Sequence, residues 1–401
     1  MDLFITKEGQ SFTFEKIKQI KNLNLDFSCN PSEIKFLGLN PNCEASYFIG
    51  VDWLKVNEAI IQVDPKIQRL DFMAMFLECL NTPYLNQKLR EIYFIDFKNP
   101  QIEIDSISCD ITPLLIIHFL NIVKKISNKG LKKDYIRVEE NISKIKGKIK
   151  FSQQFKYNIS RGRLNKNYCN YQEYSVDCLE NQLLKKTLLF SGSYINKFYP
   201  NKQLQLNLHL CLSAFELVSD NVDAVMIKQV HINPVYKEYA EALTLAKLIM
   251  KRFAYSMSET TKCSQKKTPP FWIDMSLLFE IYVLGKLKEA FGSKLHYQVD
   301  GKYGVVDFID NEKKIVIDAK YKLIYNENKF DIDNIRQVSA YARDKGIRNK
   351  LKASENELLP CCIIYPNKSK EPNFANRNLL EEKIEQFEKF WKIGICLPYV
   401  G

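Results

Sequence analysis

Gly304-Val-Val-Asp307-Phe-Ile-Asp310-Asn-Glu-Lys-Lys314-Ile-Val-Ile-Asp318-Ala-Lys320-Tyr-Lys322 is the stretch on which the reading of this chain turns. Two apolar runs flank the polar pair Asn311-Glu312, the pattern of a β-hairpin. Side chains alternate along a strand, so Val316, Asp318 and Lys320 share one face, and Ile315, Ile317 and Ala319 share the other. With a two-residue turn at Asn311-Glu312, Asp307 stands across from Val316 and Asp318 is its diagonal neighbour on the same face. Two carboxylates and an ammonium are thereby expected inside an apolar hairpin.

Carboxylates held close repel each other unless a hard cation lies between them. Mg2+ prefers oxygen ligands and keeps several waters, one of which can attack a phosphodiester. Lys320 is placed to orient that water or to offset charge in the transition state. The plain alternative is a surface ion pair, because a lone Asp-x-Lys is common. The flanking elements favour a site. A helix is expected from Asp274 or Ser276 to about Phe291, with Leu284, Leu287 and Phe291 on one apolar stripe. Glu280 lies on that stripe, where a carboxylate is costly unless it is paired or binds a metal. A second helix follows, with Asp333 as its expected cap and Asp333, Gln337 and Tyr341 on one face.

The rest of the chain sets bounds. At roughly 100–200 residues per domain, 401 residues suggest two or three domains. The longest apolar run, Ile111 to Val123, is interrupted by His118 and Asn121 and ends at Lys124-Lys125; it reads as a buried helix, not a membrane span. With no signal-like start and no membrane partner, a cytoplasmic location is expected. The 11 cysteines include no CxxC pair and the four histidines are scattered, so reduced buried thiols are expected, with neither disulfides nor structural zinc.

The net charge of +11 is localised. Residues 121–170 hold 14 Lys and Arg against three Asp and Glu, so the remainder balances to zero. Lys144, Lys146, Lys148, Lys150, Arg161 and Arg163 belong to this block. Such a concentration favours a polyanion such as DNA through counterion release, although it also suits a solvated face.

Strands are expected at Ser46 to Val51, Glu58 to Val63 and Glu91 to Ile95, with a helix at Leu70 to Leu80. From Thr112 to about Lys251 the spacing is mostly helical, notably Glu180 to Phe190, with Asp177 before it, and Tyr236 to Phe253. Ser256 to Pro270 is polar, ends in two prolines and reads as a linker. The expected fold class is α+β multidomain: a β-rich domain over 1–111, a mainly helical, basic region over 112–262, and a third unit over 263–401.

The runs Leu278-Phe-Glu280, Val306-Asp307-Phe, Asp318-Ala-Lys320-Tyr-Lys322 and Gln337-Val-Ser-Ala-Tyr341 resemble the McrC family, the nuclease subunits of McrBC-like, modification-dependent (5-methylcytosine-type) restriction systems. Lys146-Gly-Lys148-Ile149, Cys169-Asn-Tyr171-Gln-Glu173-Tyr-Ser175-Val-Asp177, Asn181, Leu184-Lys185 and Asn233-Pro-Val-Tyr236 extend the likeness over roughly 146–341. The resemblance implies a C-terminal α/β nuclease domain of the PD-(D/E)XK type with a mixed central sheet. It implies Asp307 and Asp318 as ligands of Mg2+ (or Mn2+), Lys320 as the catalytic lysine, Gln337 as a supporting residue and Glu280 as a further ligand. Lys322 and Tyr341 join the expected DNA contacts. It also implies an McrB-like AAA+ GTPase or ATPase hexamer as partner, carrying the DNA-recognition domain, engaged by residues 1–111 and stimulated in its hydrolysis. The chain fits that division, for it has no GxxxxGK[ST] loop and so no nucleotide site of its own. The expected function is an Mg2+-dependent endonuclease subunit in antiviral defence. A non-catalytic activator of an AAA+ motor and a stand-alone repair nuclease are the alternatives.

Overall fold

The computed structural model describes residues 2–400 apart from 24, 26–37, 41, 80–90, 97, 105–110, 199, 201, 221–236, 259–265, 328, 368–378, 381 and 400. In chain order the first segment contains β1 (Asp2–Lys7), α1 (Phe14–Asn22), β2 (Phe48–Lys55), β3 (Ala59–Asp64), α2 (Phe72–Cys79), β4 (Tyr93–Ile95) and β5 (Ile102–Ile104). The middle contains α3 (Thr112–Lys129), β6 (Asp134–Ile142), β7 (Lys148–Ile149), α4 (Phe151–Tyr157), β8 (Asn167–Ser175), α5 (Leu179–Phe198), α6 (Lys202–Ala214) and α7 (Lys237–Ser258). The last contains β9 (Lys266–Thr268), β10 (Phe271–Asp274), α8 (Met275–Phe291), β11 (Leu295–Asp300), β12 (Val305–Asp310), β13 (Ile315–Ala319), α9 (Ile332–Arg343), α10 (Lys345–Lys350), β14 (Cys361–Asn367), β15 (Glu382–Lys383) and β16 (Phe390–Cys396).

These elements form two compact units: 1–109 with 265–401, and 110–264. The three-part division expected from the sequence is therefore redrawn, because the first and last segments fold together. The cause is β10, which leaves its own segment and lies between β2 and β4 in a five-stranded sheet of order β1-β3-β2-β10-β4. Gly50 permits the approach: its φ is +149°, and a Cβ there would collide with the Phe271 carbonyl. Trp272 is buried and its indole nitrogen donates to Asp52 Oδ2 at 3.0 Å. Burial raises the Asp52 carboxyl to about 6 despite that bond and one from the Trp53 amide. β9 pairs with β5, so part of the Ser256 to Pro270 stretch read as linker is strand.

The second sheet of this unit has the order β11-β12-β13-β14-β16-β15. Its first three strands are antiparallel neighbours, and β13, β14 and β16 run parallel. Val316, Cys361, Ile363 and Phe390 from this sheet pack with Ile335, Val338 and Ile347 of α9 and α10. The parallel strands read as near-continuous apolar runs because both faces are covered.

The other unit is less purely helical than its periodicity suggests. Helices α5, α6 and α7 pack around α3, most of whose apolar residues are buried. The basic block, however, runs from the end of α3 through a three-stranded sheet of order β6-β8-β7 and α4, with most of its cations in the turns that connect these elements. β6 is mostly exposed, so it shows no alternation a strand reading could use. Gly147 (φ +69°) sits against the backbone of Asn170 and Tyr171, where a side chain would collide. Asn233 to Tyr236 fall outside the described residues. The described cysteines are free, and no helix among the described residues is long and apolar enough to cross a membrane.

Candidate active site

Helix α8 starts where the sequence places it: Asp274 caps it by accepting from the Leu277 amide at 2.9 Å. Its apolar residues are buried, and half-buried Glu280 accepts from Gln298 Nε2 at 3.2 Å. Tyr297, on β11 beside Phe308, points its hydroxyl toward Glu280; burial and the nearby carboxylates push its pKa up. Tyr297 was not singled out from the sequence, since nothing in β11 marks it apart from a core aromatic.

The hairpin of β12 and β13 exists, but its register differs from the expected one. Asp310 is buried and its Oδ1 accepts from the amides of Glu312 at 2.8 Å and Lys313 at 3.0 Å, closing an Asx-type turn. Lys314 takes a φ of +50°, so the loop has four residues, 311–314, not two. The pairs are Phe308 with Ile317, Ile309 with Val316 and Asp310 with Ile315. One step further along that register, Asp307 stands opposite Asp318 itself and not opposite Val316. The longer loop thus brings the acids closer than the diagonal expected from the sequence.

Asp307 Oδ2 accepts from the Ala319 amide at 2.9 Å, which ties the acid to the end of the facing strand. Asp318 is only 1% exposed, and Lys320 Nζ lies 2.9 Å from its Oδ2. That oxygen receives no well-directed hydrogen bond, so its main support is the ammonium. Past the strand, the Lys320 amide donates to the Ile364 carbonyl at 2.8 Å and the Lys322 amide to the Lys320 carbonyl at 2.7 Å, turning the chain sharply at Tyr321.

Electrostatics follow from this crowding. Burial, then repulsion from Asp318 and Glu280, holds the Asp307 carboxyl well above the usual carboxylate range. Burial also raises Asp318, against the opposing pull of Lys320. Burial works to lower the Lys320 ammonium, but Asp318 and Asp307 outweigh it and its pKa is raised. Lys320 therefore stays protonated, a donor and a counter-charge but no base.

Two facing carboxylates with raised proton affinity, one oxygen of which lacks a directed donor, form an all-oxygen set suited to Mg2+, which commonly uses one or two carboxylates and fills its remaining positions with water. Among the described residues, no three His, Cys, Asp or Glu gather closely enough to hold a metal ion. The fit thus rests on the Asp307 and Asp318 pair, with Glu280 beyond that pair and held by Gln298.

Helix α9 is capped by Asp331, whose side chain accepts from the Asp333 amide, and not by Asp333 as expected. Asp331 sits two residues earlier, and its side chain already reaches the amide of the first turn. Gln337 and Tyr341 do share a face, and Gln337 Nε2 donates to the Tyr341 hydroxyl at 2.9 Å. Tyr341 packs against Gly304. Lys322, expected on DNA, is engaged within the fold: its ammonium contacts Asp331 at 2.6 Å and Asn334 at 3.3 Å.

In the other unit, Lys144, Lys148, Arg161 and Arg163 are exposed. Lys146 lies over the Tyr171 ring, 4.1 Å from its centroid, and 3.9 Å from Glu173; Lys150 pairs with Glu139. Sequence reasoning missed the aromatics among them. Tyr157 stacks on Tyr168 at 5.6 Å, and exposed Tyr135 and Tyr174 lie 5.1 Å apart. Cations interleaved with exposed rings can bind a nucleic-acid strand by phosphate contact and stacking.

No curated protein matches the chain. It is similar to a solved half-complex from a tetradecameric assembly of Thermococcus gammatolerans McrB AAA+ hexamers with bound McrC, with 17% identity, a TM-score of 0.38, and coverage of 99% of this chain and 95% of that one. It is also similar to a chain in the Thermococcus gammatolerans McrBC complex, with 14% identity, a TM-score of 0.32, and coverage of 72% and 88%. The sequence model of the McrBC 5-methylcytosine restriction system component matches residues 44–345, a span that holds both facing aspartates, Lys320 and the basic block. By that match, which takes in most of its length, the chain belongs to the McrBC family of restriction system components.

Proposed function

We propose that this chain is the McrC-like, Mg2+-dependent DNA endonuclease subunit of its restriction system, with a PD-(D/E)XK site formed by Asp307, Asp318 and Lys320. The observation that carries the reading is the opposition of Asp307 and Asp318 on adjacent strands with the Lys320 ammonium 2.9 Å from Asp318. When bound, Mg2+ supplies a water of lowered pKa and a positive charge beside the phosphate. Asp307 and Asp318 would hold that ion, and the Ala319 amide fixes the Asp307 carboxylate in place. Lys320 donates a hydrogen bond and positive charge toward the phosphoryl oxygen. Gln337 and Tyr341, joined by a hydrogen bond, are the side chains of α9 that would orient a phosphate, and Glu280, with Tyr297 beside it, is the further carboxylate near Asp307. The exposed cations and aromatics of 121–170 hold nucleic acid.

The reading extends to an McrB-like AAA+ partner that supplies the motor and the recognition of modified DNA, since this chain has no phosphate-binding loop. The test is cleavage of a methylated plasmid with Mg2+, with and without the AAA+ subunit and nucleotide, for wild type and Asp318→Asn. Cleavage that requires both Asp318 and the partner is expected. Undiminished cleavage by Asp318→Asn sinks the site, and a partner that gains hydrolysis from a chain that never cuts DNA moves the function to that of an activator.

A further inference from the structure

We infer that Lys66, in the first segment of the chain, is a positioning residue for the Asp318-x-Lys320 strand, acting through the backbone of Tyr321; the inference rests on the nuclease reading above. β13 ends at the Lys320 amide, which is bonded to Ile364, and the chain then turns at Tyr321. At that turn the Tyr321 carbonyl accepts from Lys66 Nζ at 2.7 Å. The same ammonium lies 3.8 Å from the centroid of the Tyr321 ring. A lysine thus grips one residue twice, by its carbonyl and by its ring, directly after Lys320.

The grip is itself anchored. Lys66 follows β3, and its amide donates to Glu8 Oε1 at 3.1 Å, while Glu8 follows β1 and is 1% exposed. The Tyr321 hydroxyl, also buried, lies against the same carboxylate, and the Tyr321 ring packs on Phe279 at 5.6 Å. Phe279 is the neighbour of Glu280 on α8. Tyr321 is therefore the meeting point of three structures: the ends of β1 and β3, the helix that carries Glu280, and the strand that carries Asp318 and Lys320.

A lysine is an expensive residue to desolvate, and burial lowers its pKa here even with Glu8 beside it. A buried Met of similar length would fill the space at less cost, so the ammonium is explained by what it holds. It fixes the carbonyl that follows Lys320, and so the direction in which the Lys320 side chain leaves the backbone. A shift of about 1 Å in a catalytic group can lower turnover about 100-fold.

The experiment compares the full chain with its AAA+ subunit, nucleotide, Mg2+ and methylated plasmid as wild type, Lys66→Met/Glu8→Gln, Lys66→Arg and Asp318→Asn. The double variant removes both charges, so none is left buried alone. The expected result is a fall in kcat of about 10- to 100-fold with an unchanged KM for DNA, and recovery of most of it in Lys66→Arg. Amide exchange read by mass spectrometry should quicken in peptides spanning 316–323 and stay as in wild type over 390–396. Wild-type kcat in the folded double variant overturns the inference. Faster exchange along the whole chain with no rescue by Lys66→Arg also overturns it, leaving Lys66 merely structural. If the double variant does not fold, Lys66→Gln is measured in the same way. Asp318→Asn separates the two levels: if it cuts DNA normally the nuclease reading falls, and if it alone is dead only the role of Lys66 falls.

Discussion

A carboxylate buried opposite another stays charged at a cost that a cation relieves. Asp307 and Asp318 are both raised above the ordinary range, first by burial. The sign of the pH dependence follows. An unfolded aspartate titrates near about 3.9, and a folded one with a higher pKa binds its proton more tightly, so the metal-free protein loses stability as pH rises from that point through the raised folded values. An ion bound between the acids must displace those protons, and its stabilisation should grow with pH. The expected outcome is a larger rise in Tm on adding Mg2+ at pH 8 than at pH 5.5, the whole stabilisation by the ion reaching about 2.7 kcal/mol at 100 times the Kd. Asp307→Asn should remove the Mg2+ effect at both pH values. Equal shifts in wild type and Asp307→Asn would place the ion elsewhere. At the same scale, a Lys320 that stays protonated acts by charge and not as a base. Lys320→Met should therefore lower kcat about 100- to 1,000-fold while plasmid binding is kept, measured by single-turnover cleavage beside a filter-binding titration.

At the scale of elements, the hairpin shows which parts of the site a sequence carries openly. Asp307, Asp318 and Lys320 could be read from it because strand alternation is local and the three lie within 14 residues. The start of α8 is likewise narrowed by local cap chemistry to Asp274 or Ser276, and Asp274 is the cap. The register could not, because it depends on the buried Asp310 side chain bonding the next amides and on Lys314 accepting a positive φ. Asp310 at the head of a polar turn was the available signal. Pairings across great separations were closed to sequence reasoning: nothing in the periodicity of Phe271 to Asp274 says that it enters a sheet begun more than 200 residues earlier. Lys66 and Tyr297 are equally silent, one reading as a surface lysine and the other as core. The turn makes its own prediction. Asp310→Asn keeps the accepting Oδ1 and should change stability little. Asp310→Ala strands two amides and should cost about 1–3 kcal/mol by urea denaturation, with a further loss of cleavage as the register slips. Equal stability of the two variants would remove Asp310 as the source of the register.

Across the whole molecule, the division into units has a consequence for where the chain can be cut. A fragment of 265–401 keeps every proposed catalytic residue, yet it strips β10 of both its neighbours, β2 and β4. Phe271, Trp272 and Ile273 are each no more than 2% exposed, and uncovering them forfeits about 1.5–3 kcal/mol apiece, a large share of an ordinary domain's stability. The fragment also loses Lys66 and Glu8 from the Tyr321 turn. It should not fold cooperatively. By contrast, β5 and β9 are antiparallel partners, with Ile104 directly paired to Lys266. Two directly opposed residues can be joined by a two-residue hairpin turn, for which Asn-Gly is well suited. A chain of 2–104, Asn-Gly and 266–401 should therefore give a single cooperative thermal transition and should bind Ca2+ or Mg2+ in calorimetry in a manner abolished by Asp318→Asn. Lacking 121–170, it should also lose the steep salt dependence of DNA affinity proposed for the basic block. If the 265–401 fragment melts as cooperatively as the joined chain, the first segment is a separate domain after all. If instead the joined chain keeps the full salt dependence, DNA is held by the unit that carries Asp318 and the +11 block serves another purpose.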